Sequence, residues 1–111
     1  MNTHTRKRLH DALEASRLIA EFTTGRSLAD YEANPMLSAA VERKFEILGE
    51  ALRLAAADDA SIVATIPDLP KIVGMRNRII HGYDAVDSET IWNVVQVHLP
   101  RLTEQLEEAL A

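Results

Sequence analysis

The stretch Pro70-Lys-Ile-Val-Gly-Met-Arg-Asn-Arg-Ile-Ile-His-Gly-Tyr-Asp-Ala-Val86 carries polar residues that neither packing nor solubility explains. Read as a helix up to His81 at about 100° per residue, with Ile72 as the origin, it puts Val73 and Ile80 at about 100° and 80°, Ile79 and Met75 at about 340° and 300°, and Arg76 at about 40°. Arg76 thus falls inside the apolar stripe. Desolvating a guanidinium there costs on the order of several kcal/mol unless a carboxylate, a carbonyl or an anionic ligand compensates. Asn77 and His81 share a face at about 140° and 180°, and Arg78 lies three residues before His81. Gly82 is expected to end the helix with a positive φ. That leaves His81 in the last turn, at the negative end of the helix dipole.

Upstream, apolar residues recur at helical spacing in two long runs. The first, from about Thr5 to Phe22, places Leu9, Ala12, Leu13, Ala15, Leu18, Ile19 and Phe22 on one face, and Thr24-Gly25 stops it. Its basic start, Arg6, Lys7, Arg8 and His10, reads as a solvated face or as a rim that touches phosphates. Ser27 can cap a short turn through Tyr31. Asn34-Pro35 then opens a helix from about Met36 to Ala57, with proline at the first position, where its missing N–H costs nothing. Lys44 falls within the stripe of that helix as a snorkelling stem, and Gly49 interrupts it, marking a close helix crossing. Glu46 and Glu50 are the carboxylates on offer to Arg76, and the sequence does not choose between them.

Downstream, Asp87 can cap a last helix running to Leu110, with Ile91, Val94, Val95, Leu99, Leu102, Leu106 and Leu110 as its stripe. Pro100 lies inside that helix and is expected to bend or split it near Gln96. Residues 58–66 read as a short connection, and Pro67 and Pro70 stiffen the entry to the motif helix. No strand-like alternation and no internal repeat is visible. The expected fold is all-α, an antiparallel bundle of four to five helices forming a single domain over residues 1–111.

Composition narrows the function. With 47% hydrophobic residues but only 5% aromatic, the core must come from Leu, Ile, Val and Ala. The absence of cysteine removes disulfides and thiolate metal sites, and suits a reducing cytoplasm. No run approaches a membrane span or a signal peptide, so the expected location is cytoplasmic. A net charge of −5 excludes a protein that coats nucleic acid through bulk charge, yet leaves room for a local basic patch of Lys71, Arg76 and Arg78. His4, His10 and His98 read as surface or boundary histidines. None of the four histidines forms an H-x3-H or HExxH pattern, so neither a metal site nor a cofactor is expected.

Gly74-Met-Arg-Asn-Arg-Ile-Ile-His-Gly-Tyr-Asp84, with Ile66-Pro-Asp-Leu-Pro70 before it and Val86-Asp-Ser-Glu-Thr-Ile-Trp92 after it, closely resembles the HepT-like toxins of the HEPN superfamily of helical ribonucleases. Arg76, His81 and Tyr83 match that family's R-x4–6-H-x-Y signature. Glu46-Ile-Leu-Gly-Glu-Ala51 resembles its second-helix segment, so the likeness covers roughly residues 5–108. The resemblance implies the toxin of a type VII-like toxin–antitoxin system: a metal-independent endoribonuclease with Arg76 and His81 as catalytic residues and Lys71, Asn77 and Arg78 as substrate-binding residues. It also implies a homodimer in which two motif helices meet, and an MntA-like nucleotidyltransferase antitoxin that attaches AMP to Tyr83. The rival reading is a catalytically inactive HEPN module that binds a nucleotide or a protein.

Overall fold

Each helix begins and ends where local chemistry demands it. The computed structural model describes residues 1–81 and 87–111. Helix α1 (Thr3–Thr23) starts where the Asn2 side chain accepts from the Thr5 N–H, and it stops at Gly25, whose φ of 73° a larger residue would resist. Ser27 and Asp30 form a reciprocal capping box at the head of α2 (Leu28–Ala33). Asn34 caps α3 (Pro35–Asp58), with Pro35 in its first turn as expected. The connection expected at 58–66 holds one turn of helix, α4 (Ile62–Thr65), and the motif helix is α5 (Leu69–Ile80).

The C-terminal helix is interrupted where proline requires it. Asp87 accepts from the Glu89 N–H to start α6 (Ser88–Asn93), and α7 (Leu99–Leu110) carries Pro100 in its first turn. Pro100 has no N–H to give to the Gln96 carbonyl. Instead of breaking, the chain widens into a π turn over Val94–His98, in which the Leu99 N–H bonds to the Val94 carbonyl five residues back. The bend expected near Gln96 is therefore this π turn, and the stripe on either side of it stays buried from Ile91 to Leu106.

The result is the expected all-α antiparallel bundle. Helices α1 and α3 form its central pair, α5 packs on α3, and α7 packs on α1. One core joins them, built from Leu9, Ile19, Val41, Phe45, Leu48, Leu52, Ile72, Ile91, Leu102 and Leu106 among others. Tyr31 of α2 is buried against the tilted ring of Trp92 in α6, tying the short helix to the C-terminal one. Among the described residues, no helix is long and apolar enough to cross a membrane.

Candidate active site at the motif helix

Two elements fix Arg76: the crossing of α5 over α3, and a carboxylate one residue past the crossing. Gly49 is buried at the crossing point. A Cβ there would come within 2.7 Å of the Arg76 Cγ and nearer still to its Cβ, so the arginine stem occupies the space a side chain would need. The guanidinium then reaches forward to Glu50, with Nη2 at 2.6 Å from Oε2. Nη1 donates to the side-chain amide oxygen Oδ1 of Asn77 at 2.9 Å. The Arg76 side chain is left 20% exposed. Of the two carboxylates the sequence offers, Glu50 is the partner, and Glu46 pairs with Arg43 at 3.1 Å.

Glu50 is shared. Its Oε1 accepts from Arg53, and that hydrogen bond, with the charges of Arg53, Arg76 and Arg8, outweighs burial and holds the carboxyl below its usual range. Glu50 therefore presents a full negative charge to Arg76 at neutral pH. The charged ends open on a cleft of about 430 Å³ between α1, α3 and α5, walled by charged residues over a floor that includes Ala15, Leu18, Ile47 and Leu54. Ile80, placed in the buried stripe by its angle, is 44% exposed and lines this cleft. The helix crossing at Gly49 covers Ile72 and Met75, and Ile80 lies beyond it.

The basic patch expected from Lys71, Arg76 and Arg78 is divided by the helix. Arg76 faces α3, whereas Lys71 and Arg78, seven residues apart, lie on the opposite side. There they line a depression of about 220 Å³ with Gly74 and with Thr90 and Val94 of the C-terminal helix. Among the described residues, neither Lys71 nor Arg78 has a carboxylate partner. His81 caps α5 with φ −90° and ψ 23°, its backbone N–H bonded to the Asn77 carbonyl, and its side chain is exposed. Five residues separate it from Arg76, about 140° of helical rotation. Asn77 stands between them. Tyr83, read as the modification site, and Gly82, read as the helix terminator, lie outside the described residues.

One constellation has no counterpart in the sequence reading. Asp68, at the N-cap of α5, does not cap its own helix; its buried carboxylate reaches α7 and the π turn. Arg101 Nη2 donates to Oδ1 at 3.1 Å, Gln105 Nε2 donates to Oδ2 at 3.1 Å, and His98 Nδ1 lies 3.2 Å from Oδ1. Burial raises the Asp68 pKa, but the hydrogen bonds from His98 and Gln105 and the Arg101 charge overcome it and carry the carboxyl below its ordinary value. His98 Nδ1 is also 2.9 Å from Arg101 Nη2, and one nitrogen can serve only one of these neighbours: protonated it donates to Asp68, unprotonated it accepts from Arg101. His98, read as an ordinary boundary histidine, thus helps to fasten the entry of the motif helix. The signal lay thirty residues from its partner and had no period.

Residues 12–109 match the family model described as Ribonuclease HepT-like. The chain is 32% identical over 99 residues to a "Putative RNase" of Methanocaldococcus jannaschii, covering 89% of this chain and 90% of that protein. It is 33% identical over 100 residues to a "Probable ribonuclease HepT" of Thermococcus cleftensis, covering 90% of each. A "Putative RNase" of Caldanaerobacter subterraneus is 30% identical over 102 residues, covering 92% of this chain and 90% of that protein. No solved structure matches the chain.

Proposed function

This chain belongs to the HepT-like ribonuclease family, and from that premise we propose that it is a metal-independent endoribonuclease acting as the toxin of a type VII-like toxin–antitoxin pair. The observation that carries the reading is Arg76. Its stem is spent on the α3–α5 crossing, so the charged end is held at the edge of a cleft rather than free in solvent. A planar, permanently charged fork in that position suits the charge that gathers on a phosphorane.

The chemistry follows from the two groups. An RNA 2′-hydroxyl attacks the adjacent phosphorus, the bond to the 5′-oxygen breaks, and the products are a 2′,3′-cyclic phosphate and a 5′-hydroxyl. His81 takes the proton from the attacking hydroxyl or gives one to the leaving oxygen. One chain offers one such histidine, about 140° of helical rotation from its own Arg76. A homodimer in which two α5 helices meet supplies both an acid and a base, and sets the arginine of one copy against the histidine of the other. Lys71, Asn77 and Arg78 hold the flanking backbone. We further propose that a nucleotidyltransferase antitoxin silences the enzyme by attaching AMP to Tyr83, two residues past His81, placing phosphate charge where RNA would lie.

The test is RNA cleavage by the full chain in the presence of EDTA. Products bearing a cyclic phosphate, lost in Arg76→Ala and His81→Ala, are expected. Cleavage that survives His81→Ala, or that EDTA stops, overturns the mechanism. For the switch, incubation with the cognate nucleotidyltransferase, ATP and magnesium is expected to add AMP to wild type but not to Tyr83→Phe. A mutant that is modified and silenced as well as wild type overturns that assignment.

A further inference from the structure

Two partly buried cations in the cleft have no partner. Arg8 of α1 makes no ion pair and no hydrogen bond among the described residues, and its Nε is both buried and without an acceptor; the Arg76 Nε is in the same condition. Lys44 of α3, also partly buried, has no carboxylate within ion-pair distance among the described residues. All three line one cleft. Arg8 is close enough to Glu50 for its charge to help lower that carboxyl's pKa. Arginine and lysine are rarely withdrawn from water without compensation, and two doing so beside the unbonded Nε of Arg76 around one cavity point to a missing anion.

The local charge does not oppose an anion. The cleft walls hold Arg8, Arg43, Lys44 and Arg76 against Asp11, Glu14, Glu46 and Glu50. Lys7 and Arg53 lie outside the walls, paired with Asp11 and Glu50, so the lining itself carries four positive and four negative groups. In a chain of net charge −5 this makes the cleft less negative than the molecule as a whole.

We infer that Arg8 and Lys44 complete, with Arg76, a seat for a phosphodiester of the RNA backbone, so that the strand passes through the cleft between α1 and α3 as well as over the outer face of α5. The choice of RNA as the source of the phosphate rests on the ribonuclease reading. Neither orphan Nε has a hydrogen bond to lose, and Arg8 and Lys44 can turn to an anion without opening the Arg76–Glu50 pair. The stretch Arg6-Lys7-Arg8, ambiguous in the sequence, is divided by this assignment. Arg6 donates to the Leu110 carbonyl and Lys7 pairs with Asp11, leaving Arg8 for the ligand.

The arginine Nε–H signals of the full chain, followed by NMR during titration with a 2′-O-methyl oligoribonucleotide that cannot be cleaved, test the seat directly. The Arg8 and Arg76 signals are expected to shift together with one saturation curve. Arg8→Gln and Lys44→Gln are each expected to weaken oligonucleotide binding about fivefold to tenfold at low salt and to flatten its salt dependence by about 0.7 in logarithmic slope. Arg17→Gln removes the same charge from α1 outside the cleft, where Arg17 pairs with Glu107, and is expected to change neither. Arg8→Gln no weaker than Arg17→Gln, or an Arg76 shift without an Arg8 shift, overturns the seat. Inorganic phosphate that moves both signals as strongly as the oligonucleotide and competes with it overturns the diester assignment in favour of a free phosphate site. If Arg8→Gln does not fold, the wild-type titration and Arg8→Lys, expected to bind more weakly than wild type for want of the planar fork, decide the matter. The two readings fail separately. A chain that cleaves RNA while Arg8→Gln binds and cuts normally refutes the seat alone; a chain that binds through Arg8 and never cleaves refutes the ribonuclease alone.

Discussion

The two sides of α5 differ in kind. The inner side is defined by packing: Ile72 and Met75 are buried, Gly49 gives up its side chain, and Arg76 is held by Glu50. The outer side carries Lys71, Gly74, Arg78 and His81, each exposed, with open space around Gly74. A single helix therefore serves as a structural member on one side and a display surface on the other, and the proposed chemistry needs a residue from each. Substitutions on the two sides should separate stability from activity.

The largest effect is expected on cleavage. Arg76→Ala and His81→Ala should each lower the rate by roughly two to four orders of magnitude. Only Arg76→Ala should also cost stability, about 2 kcal/mol, since it removes a packed stem and leaves Glu50 with one partner fewer. Chemical denaturation in which His81→Ala proves the less stable of the two would invert the distinction drawn here. The glycines give a second contrast. Gly49→Ala should destabilise by about 2 kcal/mol or more through overpacking, despite its gain in helix propensity. Gly74→Ala, with no atom near the new Cβ, should instead stabilise by about 0.5–1 kcal/mol. Equal effects in urea unfolding would show that the crossing is looser than described.

Asp68 fastens the entry of α5 to α7 and the π turn. Asp68→Asn should cost about 1–2 kcal/mol at neutral pH. The sign of its pH dependence follows from its lowered pKa. The folded-state value lies below the unfolded one, so its contribution is complete above the ordinary aspartate range and is lost as pH falls through the folded value. The stability gap between wild type and Asp68→Asn should therefore close below about pH 4. The smallest effects belong to the outer cations: Lys71→Ala and Arg78→Ala should leave stability within about 0.5 kcal/mol and weaken RNA binding only a few-fold each, with a shallower salt slope. A loss as large as that of Arg76→Ala would make the outer side the seat of catalysis.

What the sequence disclosed follows the same division. Helices, caps and the disturbance before Pro100 were legible because each depends on residues within a turn or two of one another, and the Gly49 crossing because a glycine inside a helical stripe marks a close approach whatever its partner. That Arg76 needed a carboxylate was also legible; that it is Glu50 rather than Glu46 was not, because four residues along one helix place both near the same neighbour. The division of Lys71 and Arg78 from Arg76 was already implied by the helical angles and was obscured by reading proximity in sequence as a patch. The Asp68 cluster joins residues thirty and more positions apart through side chains alone, and no periodicity announces such a contact.

The missing side chain at Gly49 also bears on entropy. A free arginine has about 2 kcal/mol of rotameric freedom to lose when it is ordered by a ligand. The first bonds of Arg76 are already fixed by the backbone of α3 against which they lie, and only the torsions nearest the guanidinium remain to be set. Much of that loss therefore occurs when the chain folds, so an anion arriving at the cleft meets a cation whose reach and direction are largely decided, and more of the electrostatic attraction appears as binding.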